Sequence, residues 1–319
     1  MTADLDRLEA ELTASVISTN PYLTEIATHL ISAGGKRVRP GFTIAAAATA
    51  HATDRPASDD AITGGIAVEL VHLGSLYHDD VMDEADIRRT VDSVNARWGN
   101  HKAILAGDFL LARASELAAS LGVEVAGLLA NTIARLCEGQ LLELQYTYSV
   151  DRDEDAYLRS IDGKTASLLA ASCRIGALVA GLPDAHADAL ANFGYSYGMA
   201  FQIVDDVLDL VSNEADMGKP TGHDMEEGVY TLPVLLTLDS PLGSQLRPII
   251  GGPVDADARD EAVRIVRSGP GIPRAIERAR DYANSGRESL AELPSSPGVD
   301  GLNAAADYLL SSVEAAAAV

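Results

Sequence analysis

Residues 69–89 read ELVHLGSLYHDDVMDEADIRR. An apolar run with helical spacing leads into a group of acids, and two arginines follow directly. Positions i and i+4 share one face of a helix, so Asp79 and Asp83 form a pair of carboxylates with Asp80 at its edge. Hard oxygen ligands of this kind suit Mg²⁺, which keeps several waters and is usually completed by substrate phosphates. We call Asp79, Asp80 and Asp83 the first box.

The same spacing returns in FQIVDDVLDL, residues 201–210. We call its acids, Asp205, Asp206 and Asp209, the second box. The apolar residues before each box predict that both helix ends lie against the core, where carboxylates are costly unless a cation compensates them. Two boxes therefore favour a divalent metal over the alternative of two solvated acidic helix ends.

Helical periodicity runs through the whole chain, and sustained alternating runs rich in Val, Ile and Thr are absent from the sequence. The pattern predicts an all-α protein, a single large helical bundle with short connections that forms one domain over residues 1–319. Glycine and proline stops, such as those at 34–35 and 181–183, separate the helices. We predict helices at 3–18, 21–33, 40–52, 57–82, 101–119, 122–148, 153–181, 184–212, 226–238, 256–267, 271–290 and 299–317.

The charge balance disfavours several classes of partner. The chain has 24 basic and 47 acidic side chains, a formal net charge of −23, which disfavours nucleic acid and anionic lipid. The two cysteines, Cys137 and Cys173, are spaced like neither a metal site nor a redox pair, which favours a reducing cytoplasm. The start lacks a basic segment followed by an apolar one, and no stretch of about 18 uncharged apolar residues follows. We therefore expect a cytoplasmic protein without a transmembrane segment.

Basic residues are few, and several of them stand in glycine-containing loops. Lys36 lies in GGKRVRP, Lys164 in DGKTASLL and Lys219 in DMGKPTGHD. Backbone N–H groups in such loops can also face an anion. Each residue has an ordinary alternative as a solvated turn or loop tip, and His72 as a core histidine. With the arginine pair after the first box, these clusters predict two diphosphate sites, one bridged by Mg²⁺ and one held directly by Arg, Lys and His.

The ordered set of motifs resembles a known family. In order along the chain stand GGKRVRP, ELVHLGSLYHDDVMDEADIRR, NARWGNHKAILAGDFLLA, EGQLLEL, DGKTASLL, FQIVDDVLDL and GKPTGHDMEEGVYTLPVL. The set is similar to that of the trans-isoprenyl diphosphate synthases, also called polyprenyl synthetases, over nearly the whole chain. This resemblance implies a helical bundle around a central cavity, of the isoprenoid synthase type, and usually a homodimer. It also implies a Mg²⁺-dependent prenyltransferase that condenses isopentenyl diphosphate head-to-tail with an allylic diphosphate to give a trans-polyprenyl diphosphate.

The resemblance implies a role for individual residues as well. The ligands of Mg²⁺ would be Asp79, Asp80, Asp83, Asp205, Asp206 and Asp209. The allylic diphosphate would be held by Arg88, Lys164 and Lys219, and isopentenyl diphosphate by Lys36, Arg39, His72 and Arg89. The reacting carbons would be lined by Thr165 and Gln202. Because stabilisation of the developing charge suffices for this reaction, no protein nucleophile is expected.

The chain departs from the family pattern in two places that concern the diphosphates. The family often has RRG, another residue and Pro where this chain reads RRTVD at 88–92, which puts the contacts of that loop in question. Short-chain members usually carry a further Lys where this chain has Val229, and they often end in a basic tail. No Lys or Arg follows Arg287 here. Neither of these cationic groups is therefore expected to contribute to binding.

Product length in this family is set by the bulk just before the first box. Farnesyl-forming members place aromatic residues where this chain has Gly74 and Ser75. We expect the small side chains to leave a tunnel open, which favours a medium- or long-chain product beyond 20 carbons. The alternative for Gly74 is close helix packing. Alternatives for the protein are a short-chain geranylgeranyl or farnesyl diphosphate synthase, a class I terpene cyclase or a non-catalytic partner subunit, and transient membrane contact during product release stays open.

Overall fold

The computed structural model describes residues 2–212 and 221–317. Lys219, which we predict to contact the allylic diphosphate, lies outside these residues. The chain groups into two compact units. Unit 1 comprises Met1–Ile133, Leu168–Ala191 and Glu292–Leu302, and unit 2 comprises Ala134–Ser167, Asn192–Ala291 and Asn303–Val319. A single domain over residues 1–319 stays a prediction.

Helices dominate the described residues. In chain order the elements are α1 (Thr2–Ser15), α2 (Pro21–Ser32), α3 (Val38–Ala48), α4 (Asp59–Met82), β1 (Ile87–Arg88), β2 (Val91–Asp92), α5 (Val94–Trp98), α6 (Asn100–Ser120), α7 (Val123–Gln145), α8 (Glu154–Ile161), a π-helical turn (Asp162–Ala166), α9 (Ser167–Val179), α10 (Asp184–Val211), α11 (His223–Glu226), α12 (Leu232–Leu238), α13 (Gly243–Leu246), α14 (Ala256–Ser268), α15 (Gly271–Leu290) and α16 (Pro297–Ala317). The predicted all-α class is therefore confirmed.

Several helix starts in unit 1 are fixed by the residue just before them. The Asn20 side chain accepts a hydrogen bond of 3.0 Å from the N–H of Tyr22, and a proline follows it in the first turn of α2. The hydroxyl of Ser58 accepts a hydrogen bond of 3.2 Å from the N–H of Ala61 at the start of α4. These caps satisfy backbone donors that a helix leaves unpaired at its first turn.

Helix α4 of unit 1 is buried on nearly all sides. Ile62, Leu70, Leu73 and Tyr77 have no exposed surface, and α3 and α6 both pack against the helix. The hydroxyl of Tyr77 donates a hydrogen bond of 2.8 Å to the carbonyl of Ile26 on α2. A helix without a solvent face can be held only by its neighbours, so packing fixes the end of α4 that carries the first box.

A short antiparallel hairpin follows α4. Ile87 pairs with Asp92, and Arg88 pairs with Val91. The two residues at its tip, at positions 89 and 90, have φ angles of 51° and 66°. A two-residue turn with both φ values positive favours Asn and Gly, whereas this chain has a β-branched threonine at the second position. The departure from the RRG pattern therefore falls on a left-handed residue.

A π-helical turn interrupts the helical run in unit 2. The N–H of Ser167 donates to the carbonyl of Asp162, which closes the wide turn. Glycines allow α7 to approach this turn closely, since a Cβ on Gly139 would lie 2.4 Å from the backbone N of Lys164. A Cβ on Gly163 would likewise lie 2.9 Å from Cα of Gly139. This backbone contact fixes where Lys164 and its neighbour stand relative to α7.

Most predicted helices are observed with small differences at their ends, as for α4, predicted at 57–82 and observed at Asp59–Met82. The run predicted at 153–181 divides into α8, the π-helical turn and α9. The helix predicted at 226–238 is observed only as α12, Leu232–Leu238, and α11 ends where that prediction begins. The hairpin, α5 and α13 were not predicted, because elements this short carry no detectable periodicity. None of the described helices combines the length and apolar character needed to cross a membrane.

Candidate active site

The first box lies at the C-terminal end of α4 in unit 1. Asp80 is fully buried, Asp79 is half-buried and Asp83 is exposed. The N–H of Asp83 donates a hydrogen bond of 2.8 Å to the carbonyl of Asp79, and Asp83 keeps a near-helical φ of −87°. Asp79 and Asp83 therefore stand one helical turn apart, as the spacing predicts.

Arg88 on β1 contacts the first box directly. Its Nε and Nη2 atoms both lie 2.6 Å from Oδ1 of Asp80. The hairpin thus folds back along α4 and brings a guanidinium to the buried carboxylate. Charge-assisted contacts of this kind are the strong class of hydrogen bond, so Arg88 compensates part of the cost of burying Asp80.

The adjacent Arg89 instead lies on the glycine turn before α3. Its Nη1 donates a hydrogen bond of 3.2 Å to the carbonyl of Leu30 and a second one to the carbonyl of Gly34. A Cβ on Gly35 would lie 2.9 Å from the same Nη1 atom, so a larger residue at this position would force the Arg89 side chain to shift. The GGKR turn and the hairpin tip therefore support each other.

Cations surround His72 in unit 1. Burial, together with the positive charges of Arg39, Arg89 and Arg88, holds the pKa of His72 well below its ordinary value. His72 is therefore neutral at pH 7. The Nε of Arg39 is buried and has no hydrogen-bond partner among the described residues, while Lys36 is exposed. Four residues predicted to hold isopentenyl diphosphate, Lys36, Arg39, His72 and Arg89, accordingly belong to unit 1.

Arg37, the middle residue of the same basic stretch, has a different role. It is 6% exposed, its Nη1 lies 2.8 Å from Oε1 of Glu69, and its Nε and Nη2 contact the carboxylate of Glu9. Because both carboxylates hold it, Arg37 serves the structure of unit 1. The spacing within GGKRVRP does not by itself distinguish the structural Arg37 from Lys36 and Arg39, which are predicted to bind isopentenyl diphosphate.

The second box lies near the end of α10 in unit 2. Asp205 is exposed and Asp206 is 3% exposed. Burial raises the pKa of Asp206 to about 7, although Tyr157 and Gln202 stabilise its charge through hydrogen bonds. The hydroxyl of Tyr157 donates to Oδ2 at 2.5 Å, and Nε2 of Gln202 donates to Oδ1 at 2.9 Å. Both oxygens of this carboxylate are therefore held in place.

Four of the predicted residues meet in one part of unit 2. The hydroxyl of Thr165 donates a hydrogen bond of 2.8 Å to Oε1 of Gln202, which in turn donates to Asp206. Lys164, adjacent on the π-helical turn, forms an ion pair of 2.5 Å with Oε1 of Glu143 on α7. The structure thus brings Lys164, Thr165, Gln202 and Asp206 together through direct contacts and adjacency in the chain.

The carboxylates around the second box destabilise one another's charge. Burial raises the pKa of Asp209, and burial together with Asp209, Asp206 and Asp205 raises the pKa of Asp224 well above its ordinary value. In the described residues, no three acidic, histidine or cysteine side chains converge to hold a metal by themselves. This donor set fits Mg²⁺, an oxygen-binding cation whose shell is completed by water and phosphate.

Gly74 does not border open space, which corrects our expectation for this residue. A Cβ on Gly74 would lie 3.1 Å from the carbonyl oxygen of Gly107 and 3.1 Å from Cγ of Leu111, both on α6. Close helix packing, the alternative for this glycine, is what the structure shows. Ser75 is half-buried, and its hydroxyl donates a hydrogen bond of 2.8 Å to the carbonyl of His72. A role of Ser75 in product length stays a prediction.

Sequence analysis missed three residues of the candidate site in unit 2. Tyr157 holds Asp206, Glu143 pairs with Lys164, and Asp224 belongs to the carboxylate cluster. Glu143 and Asp224 stand within two motifs that carry the family resemblance, EGQLLEL and GKPTGHDMEEGVYTLPVL. Their place in these motifs could have identified both as candidate site residues. Tyr157 stands outside every quoted motif.

The chain is similar to known proteins over most of its length. Residues 20–266 match the family described as Polyprenyl synthetase. The nonaprenyl diphosphate synthase of Mycobacterium tuberculosis is 41% identical over 312 residues, 97% of this chain and 92% of that protein. Heptaprenyl diphosphate synthase component 2 of Geobacillus stearothermophilus is 38% identical over 292 residues, 91% of this chain and 90% of that protein.

A solved structure gives the same result. The polyprenyl synthase from Caulobacter crescentus CB15, complexed with calcium and isoprenyl diphosphate, matches with a TM-score of 0.90 and 33% identity. The match covers 97% of this chain and 95% of that one. The predicted isoprenoid synthase type of fold and the predicted prenyltransferase class are thereby confirmed. On its sequence and its fold, this chain belongs to the polyprenyl synthetase family.

Proposed function

We propose that this enzyme extends an allylic diphosphate with isopentenyl diphosphate, head-to-tail and in a Mg²⁺-dependent reaction, to make a trans-polyprenyl diphosphate of medium or long chain. The observation that carries the proposal is the network in unit 2 in which Thr165, Gln202 and Asp206 are hydrogen-bonded beside Lys164. The names of the two similar proteins, a nonaprenyl and a heptaprenyl diphosphate synthase, support the chain length.

The carboxylates of the two boxes would hold the metal. Their members are Asp79, Asp80 and Asp83 in unit 1 and Asp205, Asp206 and Asp209 in unit 2. When bound, Mg²⁺ supplies positive charge that stabilises the leaving diphosphate. The Caulobacter crescentus polyprenyl synthase is complexed with calcium and isoprenyl diphosphate, which supports a divalent cation in the reaction proposed for this enzyme.

The side chains of the protein bind and orient the two substrates. Arg88 and Lys164 offer charged donors to the allylic diphosphate, with Lys219 as the third predicted contact. Arg39 and Arg89 offer guanidinium groups to isopentenyl diphosphate, and the neutral His72 contributes a hydrogen bond in place of a charge. Holding both substrates in reacting geometry removes much of the entropic barrier to their condensation.

The reacting carbons need dipoles that stabilise an allylic cation without reacting with it. Thr165 and Gln202 meet this requirement, because hydroxyl and amide oxygens are polar and only weakly nucleophilic. Their mutual hydrogen bond of 2.8 Å fixes the orientation of both groups before substrate binds. The proton lost from isopentenyl diphosphate passes to the released diphosphate, so the reaction requires no basic side chain.

We also propose that the enzyme acts as a homodimer in the cytoplasm, with transient membrane contact during product release. Ile104 and Leu105 on α6 of unit 1 are 42% and 65% exposed, and burying such residues favours association. We expect Leu105→Glu to produce monomers in analytical ultracentrifugation. Val123→Glu, at a 91% exposed position on α7, serves as the control that remains dimeric.

A second candidate is a catalytic subunit that needs a different partner chain. The observation that favours it is the name of the Geobacillus stearothermophilus relative, component 2 of a heptaprenyl diphosphate synthase. The two candidates differ in one measurement, since only the homodimer makes product from the purified chain alone.

The deciding experiment incubates the pure chain with Mg²⁺, isopentenyl diphosphate and geranyl, farnesyl or geranylgeranyl diphosphate. The products are then dephosphorylated and separated by length. We expect products beyond 20 carbons, no product after chelation with EDTA, and severe loss of activity in Asp79→Asn and Asp205→Asn. Elongation would be rejected if the metal-loaded chain leaves all three primers unextended.

A further inference from the structure

Arg152 is a buried arginine of unit 2 to which the proposed reaction gives no role. It lies just before α8 and is 5% exposed. Its Nη1 donates a hydrogen bond of 3.2 Å to the carbonyl of Tyr230. Its Nε and Nη2 are both buried and have no hydrogen-bond partner in residues 2–212 and 221–317. Unpartnered donors on a buried guanidinium are costly, so this arrangement calls for an explanation.

The surroundings of Arg152 are aromatic and acidic. Its guanidinium carbon lies 5.4 Å from the ring centroid of Tyr157 and 6.0 Å from that of Tyr146, which permits cation–π attraction. Burial lowers the pKa of Arg152, and the carboxylate that opposes this change most strongly is Glu143, followed among the carboxylates by Asp206. Tyr146, whose ring faces the guanidinium, donates its N–H to the carbonyl of Glu143 at 3.0 Å. Arg152 therefore stands near Glu143 as a second positive charge.

Glu143 already has one cationic partner. Its side chain is 15% exposed and forms the ion pair with Lys164 described above. A diphosphate that binds Lys164 competes with Glu143 for the lysine charge and is repelled by the carboxylate. Without another cation, the release of Lys164 would leave a largely buried carboxylate uncompensated, which is strongly unfavourable.

We propose that Arg152 is a positioning residue that serves as the counter-ion of Glu143, so that Lys164 is available to bind the allylic diphosphate. The inference rests on the proposed function in one respect, the assignment of the allylic diphosphate to Lys164. Arg152 itself does not touch the substrate. Its two unpartnered donors are the groups that take over Glu143 when substrate binds the lysine.

The test measures binding of a non-cleavable farnesyl thiolodiphosphate by titration calorimetry in the presence of Mg²⁺. For Arg152→Met, we expect the dissociation constant to rise about tenfold, the scale of one charge-assisted interaction. The KM for isopentenyl diphosphate, whose predicted contacts all lie in unit 1, should change by less than about twofold. A purely structural role would move both constants together.

A double-mutant cycle identifies Glu143 as the intermediary. In Glu143→Gln there is no carboxylate to compensate, so adding Arg152→Met should weaken binding by less than about twofold. Arg278→Met is the matched control, because Arg278 forms its 2.6 Å ion pair with Glu154, outside this cluster. We expect its affinity for the thiolodiphosphate to equal that of the wild type.

Two further measurements distinguish an effect of the substitution on folding from an effect on binding. Removing one member of a buried charge pair is expected to destabilise the fold, so thermal unfolding is measured for every variant. If Arg152→Met does not fold, Arg152→Lys decides, since it keeps the charge and should bind within about threefold of the wild type.

Three results would overturn the inference. The first is an unchanged affinity for the thiolodiphosphate in Arg152→Met, and the second is full additivity of the losses of affinity in Arg152→Met and Glu143→Gln. The third is a loss of affinity in Arg152→Lys as large as that in Arg152→Met. Failure of the wild type to elongate any primer would instead reject the proposed function. The binding measurements do not depend on turnover and separate the two cases.

Discussion

The hydroxyl of Tyr157 on α8 donates a hydrogen bond of 2.5 Å to Oδ2 of Asp206 on α10. Gln202 holds the other oxygen of the same carboxylate at 2.9 Å. A carboxylate restrained at both oxygens keeps a fixed orientation, and its remaining lone pairs are presented in one direction. Asp206 is a proposed metal ligand, and removing a group that orients such a ligand typically costs about 10- to 100-fold in metal affinity.

Tyr157→Phe should therefore weaken the response to Mg²⁺. The variant keeps the ring and loses only the donor to Asp206, so the buried carboxylate becomes harder to ionise and less well oriented. We expect the Mg²⁺ concentration for half-maximal activity to rise by about tenfold or more. Initial rates over a Mg²⁺ series measure it.

Tyr230→Phe is the control for this prediction. Tyr230 is also fully buried in unit 2, and its hydroxyl accepts a hydrogen bond of 2.6 Å from the N–H of Gly251. Its loss should cost about 1 kcal/mol of stability and leave the Mg²⁺ dependence unchanged. Equal shifts in the two variants would contradict a specific role of Tyr157.

Adjacent aromatic substitutions should separate product length from packing. Ser75→Phe should shorten the product, because the aromatic ring obstructs the predicted tunnel. Gly74→Phe should instead destabilise the contact of α4 with α6, by about 1–3 kcal/mol for an overpacked site. Product chromatography and thermal unfolding of both variants measure these effects. A Ser75→Phe enzyme with the wild-type product would eliminate the tunnel at this position.

Thr90 at the hairpin tip should be replaceable with a gain in stability. Its φ of 66° is unfavourable for a β-branched residue and well tolerated by Asn. We expect Thr90→Asn to raise the free energy of unfolding by about 1 kcal/mol. Urea titration of both variants measures the free energy of unfolding, and Thr90→Val, which keeps the branch at Cβ, should show no gain. A gain in stability in both variants would show that the hydroxyl of Thr90, and not its backbone conformation, lowers the stability.

His72 should make unit 1 sensitive to acid. Its pKa lies well below the ordinary value of 6.5 in the folded protein, so the unfolded chain binds more protons below that pH. The stabilising contribution of neutral His72 is present above about pH 6.5 and is lost progressively as the pH falls towards the folded-state pKa. The melting temperature should therefore drop less between pH 7 and pH 5.5 in His72→Gln than in the wild type.

The exposed His101 on α6 supplies the comparison for His72. His101→Gln should follow the wild-type dependence of melting temperature on pH. An identical dependence in His72→Gln and the wild type would show that burial and the nearby cations do not keep His72 neutral.

Much of the candidate site could be predicted from the sequence, because its residues stand in short motifs. Asp79 and Asp83, or Asp205 and Asp209, are four residues apart, and helical geometry alone places each pair on one face. Lys164 and Thr165 were predicted from the motif DGKTASLL through the resemblance to the family. The long, strongly periodic helices α4, α6 and α10 were predicted close to their observed bounds.

The remaining features depend on contacts between distant parts of the chain. Tyr157 and Asp206 are 49 residues apart, and no periodicity connects them. The same holds for Glu143 and Lys164, which are separated by 21 residues. The prediction of open space at Gly74 was wrong for a related reason. A glycine can border either open space or a closely packed neighbour, and the sequence does not distinguish the two.

The wide turn at Asp162–Ala166 has a consequence for how this enzyme can diverge. A π-helical turn contains one more residue than an α-helical turn, so deleting one of its residues would leave an ordinary α-helical turn in its place. The residues of the turn would shift, and Lys164 and Thr165 would lose their contacts with Glu143 and Gln202. We therefore expect a change of length within this pentapeptide to abolish catalysis even where the helices on either side keep their positions.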